Sequence, residues 1–88
     1  MFRIQRFSNG GIVFTLSGHI DPEHVDELRR LLSLEPRSAR IVLNLRELVK
    51  VEGYAVDFLI ECEAAGIVLD ECSNYVRRWI DQRKDMSG

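Results

Sequence analysis

Apolar and polar residues alternate at the start of the chain, and apolar residues later recur at helical spacing. Phe2 and Ile4 fall on one side of an extended segment, Arg3 and Gln5 on the other. Asn9-Gly10-Gly11 then supplies a tight turn. Over residues 12–17, Ile12, Phe14 and Leu16 alternate with Val13, Thr15 and Ser17. The two runs predict a β-hairpin with one apolar face. Asp21-Pro22 opens a helix: aspartate can accept from free backbone N–H groups, and proline fits the first helical position. Val25, Leu28, Leu31 and Leu32 form its apolar stripe, and Pro36 ends it.

Ile41 to Leu45 reads as a second clear strand. A helix follows over residues 53–65, with Ala55, Phe58, Leu59 and Cys62 as its stripe and Gly66 as its C-cap. Ile67-Val68-Leu69 is a short strand. Ser73 is placed to cap a last helix, with Val76, Trp79 and Ile80 inward and Arg77 and Arg78 outward. Residues 83–88 read as a fraying polar tail. The order is β-β-α-β-α-β-α in one domain, residues 1–88.

Right-handed crossovers make the strands after the hairpin parallel. If strands add in one direction, every crossover helix lands on the same side. A sheet covered on both faces is apolar on both faces. Here one face carries Thr15, Ser17 and Asn44. The expected fold is therefore α/β: a four-stranded mixed sheet with three helices on one face. Ile12, Phe14, Leu16, Ile41, Leu43 and Leu45 should lie beneath them. Val13 and Val42 on the other face leave room for a modest partner surface. A homodimer is a separate option that the sequence assigns to no particular face.

Composition narrows the function. An 88-residue chain buries only roughly 60–65 % of its unfolded surface. Its 45 % hydrophobic and 30 % charged residues suit an ordinary folded domain. A net charge of −2 gives no footprint for nucleic acid or anionic lipid. No apolar run approaches the ~20 residues needed to span a bilayer, and residues 1–11 lack a signal-peptide core. A cytoplasmic location is expected. Cys62 and Cys72 are expected as free thiols.

Candidate chemistry is sparse. His19 and His24 lie among Asp21 and Glu23, but not at the same-face spacing of a helical metal motif, so they read as solvated loop histidines. Cys72 precedes a helix N-terminus, a position that lowers a thiol pKa, yet it has no neighbouring base or resolving cysteine. Arg77 and Arg78 read as a solvated face. No phosphate loop, nucleophilic triad or paired acid–base set is present, so neither an enzyme nor a cofactor is expected.

The stretch IVLNLRELVKVEGYAVDFL, residues 41–59, resembles the signature region of the STAS family (sulphate transporter and anti-sigma-factor antagonist domains). The family strand reads roughly L-D-L-S-x-V, and the following loop and helix start [IV]-D-S-S-[AG]-[LV]. Leu43-Asn44-Leu45-Arg46-Glu47-Leu48 and Val51-Glu52-Gly53-Tyr54-Ala55-Val56 match the hydrophobic frame. Ser73 to Trp79, SNYVRRW, is a weaker echo of the family's last helix. Gly53 and Tyr54 stand where the family has two serines, with Tyr54 at the phosphoacceptor; Glu52 and Asn44 replace aspartates. The resemblance implies a protein-binding regulatory module without a phosphoserine switch. Its partner would be an anti-sigma-factor kinase or another regulator. The alternative is an accessory domain that binds a subunit of a membrane transport system.

Sites in parallel sheets collect in the loops after the strands. Residues 18–21, 49–53 and 70–73 should meet there, each leading into a helix N-terminus that favours anions. The expected binding edge is His19, Asp21, Glu52, Gly53, Tyr54 and Ser73. Glu52 would cap its helix and offset the dipole. Tyr54 would be an exposed interface anchor of little structural weight.

Overall fold

In the computed structural model, which describes residues 1–8 and 10–87 with side chains through residue 85, alternation at the start does produce a hairpin. Strand β1 (Phe2–Ser8) pairs antiparallel with β2 (Ile12–His19), from Phe2 opposite Gly18 to Ser8 opposite Ile12. Asn9, in the expected turn, lies outside the described residues, as does Gly88 at the end of the expected tail. Gly10 supplies the positive φ of +74° that the turn requires.

Helix α1 (Pro22–Ser33) begins where the sequence places it, with Asp21 as N-cap and proline in the first turn. The N–H groups of His24 and Val25 donate to the Asp21 carbonyl at 2.9 and 3.2 Å. His24 Nδ1 accepts from the Asp21 N–H at 3.0 Å, the reciprocal half of a capping box. His24 is thus no loop residue: it closes a helix end, and its ring stacks on Phe2 at 4.4 Å. The helix stops at Ser33, before Pro36.

Strand β3 runs Ile41–Lys50, well beyond Leu45. Residues 46–50 mix three charges with Leu48 and Val49 and show no clean alternation, but β2 is long enough to pair with them: Ser17 lies opposite Glu47, Gly18 opposite Leu48 and His19 opposite Lys50. Two register shifts accompany this extension. Helix α2 (Gly53–Ala64) follows after only two residues. It ends in a Schellman-type turn. Ile67 N–H donates to Cys62 C=O at 2.9 Å, Gly66 N–H donates to Glu63 C=O at 3.0 Å, and Gly66 has φ +91°. Strand β4 is only Val68–Asp70 and pairs with Val42–Asn44. Ser73 caps helix α3 (Asn74–Ser87), its Oγ accepting from Val76 N–H at 3.2 Å.

The sheet order is β1-β2-β3-β4, antiparallel in the first pair and parallel in the rest. One side of it is the core. Ile12, Phe14, Leu16, Leu43 and Leu45 are buried with Val25 and Leu28 of α1, five residues of α2, and Val76 and Ile80 of α3. Ile41, at the strand's start, is only half-buried, and so is Trp79. Val13, Thr15, Ser17, Val42 and Asn44 on the far face all keep partial exposure. No helix among the described residues is long and apolar enough to cross a membrane.

Residues 83–87 are helical, not frayed, and the reason is electrostatic. Helices α2 and α3 run antiparallel and are stitched by ion pairs. Arg83 reaches Asp57 through two hydrogen bonds of 2.7 and 2.8 Å. Arg77 pairs with Glu63 at 3.0 Å, and Lys84 reaches the same carboxylate at 2.9 Å. Arg77 therefore belongs to a helix–helix contact and not to a purely solvated face.

Candidate functional site

The loop after β2 and the start of α2 meet because β2 and β3 end at the same level, His19 opposite Lys50. His19 stands between two carboxylates. Its Nδ1 is 3.8 Å from Asp21 Oδ1, and its Nε2 is 3.9 Å from Glu52 Oε2. Neither is a hydrogen bond, and Nε2 is covered from solvent with no hydrogen-bond partner. Glu52 is the N-cap of α2, but its side chain makes no capping hydrogen bond. Its carboxylate turns toward His19 instead, so the side-chain cap expected from sequence is not made, although its carbonyl accepts from the Ala55 and Val56 N–H groups at 3.0 Å.

Tyr54 closes the edge. Its hydroxyl donates to the Ile20 carbonyl at 2.6 Å, a bond that spans from α2 to the link between β2 and α1. Ile20 itself is buried. Burial first, then the neighbouring Glu52 and Asp21 carboxylates, push the Tyr54 phenol up to about 12. Tyr54 packs partly buried against the core. It is a structural tie and not the exposed anchor expected from sequence. Its aromatic ring matched the anchor pattern, whereas its acceptor is a main-chain carbonyl that no side-chain pattern reveals.

Gly53 begins α2 on the flank facing α3. A Cβ there would sit 3.7 Å from the Arg83 guanidinium. Arg83 thus contributes to this end of the molecule, a neighbour that sequence reasoning assigned to the tail. A signal existed: Asp57 and Glu63 are spaced as Arg83 and Arg77 are, as two antiparallel helices require.

Ser73 is not part of the edge. β4 stops opposite Asn44, while β3 continues through residues 45–50, about 20 Å further at ~3.3 Å per residue. The turn after β4 therefore lies partway along β3, where Glu71 approaches Arg46 at 3.9 Å. The antiparallel course of α3 keeps its N-terminus at the far end of α2 from Gly53. The structure brings together His19, Asp21, Glu52 and Tyr54, sets Gly53 beside them, and leaves Ser73 apart.

The thiols are quiet. Cys62 is buried and Cys72 half-buried, and both are free. Burial pushes Cys62 up to about 12. Burial also raises Cys72, outweighing the nearby Arg77 and reversing the lowering expected from its position before α3. Among the described residues no group of three or more histidines, cysteines and carboxylates is arranged to hold a metal ion. No family model matches the chain, and no curated protein is significantly similar to it. What the edge offers chemically is a histidine between carboxylates, with the backbone behind it fixed by a tyrosine. Such a surface suits recognition by hydrogen bonds and charge.

Proposed function

We propose that this chain is a non-enzymatic, protein-binding regulatory module resembling the anti-sigma-factor antagonists of the STAS family, and that it works without a phosphoserine switch. Its partner, an anti-sigma-factor kinase or another regulator, docks on the edge built by His19, Asp21, Glu52 and Tyr54. The observation that carries this reading is the Tyr54 to Ile20 hydrogen bond of 2.6 Å. At the position that matches the family's phosphoacceptor, the hydroxyl is committed to the main chain and kept neutral. No serine or threonine lies between Ala39 and Cys72 to take its place. An edge fixed in this way presents one constant surface, and a constant surface fits a constitutive binder.

The test has two arms. The chain is immobilised and partners are captured from native lysate; the captured protein is then titrated against Asp21→Asn, Glu52→Gln and, as control, Arg78→Ala. Loss of the edge carboxylates should weaken binding about five- to tenfold, as for charges at an interface, with the control unchanged. In parallel, incubation with an anti-sigma-factor kinase and ATP should leave residues 39–72 without phosphate. Equal binding by all variants would sink the site, and stoichiometric phosphate on Tyr54 would sink the unswitched reading.

A further inference from the structure

The sheet face without helices carries a feature independent of the loop edge. Register places Phe7 beside Val13, Val13 beside Val42, and Val42 beside Val68. These four form one apolar row across all four strands. Phe7 and Val68, at its ends, are 54 % and 51 % exposed. The next row along the strands is polar: Gln5, Thr15, Asn44 and Asp70. On the row's other flank, alternation from Val42 puts Arg40 on the same face, beside Gly11.

Two exposed charges of opposite sign flank the apolar row. Arg40 and Asp70 are both exposed, and among the described residues neither side chain has an ion-pair or hydrogen-bond partner. One lies on each side of the apolar row.

We propose that this face binds a second copy of the chain. A two-fold axis along the row lays each apolar residue over its own equivalent and reverses the strand direction. The flank carrying Arg40 in one copy then faces the flank carrying Asp70 in the other, and the reverse contact follows by symmetry. Stacked sheets lie about 10 Å apart, a gap that an arginine and an aspartate side chain close between them. The surface is thus complementary to itself in both shape of pattern and sign of charge. Three rows on four strands cover roughly 400 Å² per copy, about half of a standard interface. The dimer is accordingly weak and reversible, with a Kd of roughly 10–500 µM.

Sedimentation of the full chain from about 10 µM to 1 mM at low salt tests this. A reversible monomer–dimer equilibrium is expected. Phe7→Ser should abolish it, while Glu52→Gln, at the loop edge, should leave it intact. Arg40→Asp and Asp70→Arg should each weaken the dimer about fivefold or more. Combining the two reversals should restore it to within about twofold of the original. All these positions are exposed or half-exposed, so folding is not at issue. A monomer throughout the range overturns the proposal. So does a dimer that ignores Phe7→Ser, or a double reversal that fails to recover.

Discussion

Gly18→Ala is the sharpest test of how this domain holds its first strand. Gly18 has φ +93°, a region that costs an L-residue about 1–2 kcal/mol. A Cβ there would also fall on the Met1 carbonyl oxygen, 2.9 Å from its carbon and 3.2 Å from Phe2 Cα. The start of β1 must move away. That motion gives up the pairing of Phe2 with Gly18, worth about 1 kcal/mol, and loosens the 4.4 Å stack of Phe2 on His24, worth about 0.5–1.5 kcal/mol. The expected loss is about 3 kcal/mol. For a domain of this size that lowers Tm by roughly 12–24 °C. Gly66→Ala is the internal reference. Gly66 has nearly the same φ, +91°, with nothing within 4 Å of the added Cβ. It should lose only the conformational part, roughly 4–16 °C. Thermal and urea unfolding of both variants measure the difference. If Gly18→Ala loses no more than Gly66→Ala, the close approach of β1 is not a real constraint.

Two further outcomes follow from the charges and thiols. Arg77 holds Glu63 below its ordinary value of 4.5, with burial opposing and Lys84 assisting. A depressed carboxylate stabilises the fold above its unfolded pKa and loses that contribution as pH falls through the folded one. Stability measured from pH 6 to pH 3 should therefore fall below about pH 4.5. Glu63→Gln should flatten that fall by about 1 kcal/mol or less, since the pair is partly solvated; an unchanged slope would refute the linkage. With a thiol reagent at pH 8, Cys72 should react slowly and Cys62 only on unfolding, which peptide mapping of the adducts resolves.

How far sequence reached depended on the kind of information each element needed. The hairpin, the helix starts at Pro22 and Gly53, and the one-sided core rest on local periodicity and caps, and local signals suffice for them. The far end of β3 did not yield to the same reasoning. Residues 46–50 gain strand geometry by pairing with the end of β2, a non-local cause. The three-residue length of β4 was legible in its short apolar run; its register was not, and pairing Asp70 with Asn44, well short of the end of the longer β3, is what removes Ser73 from the edge. His24, Tyr54 and Arg83 share a reason for being misjudged. Each is fixed by a partner remote in sequence or on the main chain.

The clasp between α2 and α3 has a consequence for how the chain matures during synthesis. Val76 and Ile80 are core residues, 7 % and 0 % exposed, and they arrive late. Until α3 has left the ribosome, the flank of α2 that it covers stays wet, and Asp57 and Glu63 face water without their arginines. The hairpin and α1 have no complete core to dock on before then. Closure of the core therefore requires residues 76–83 to be in place. A chain stalled before residue 76 leaves exposed the flank of α2 that Val76 and Ile80 cover.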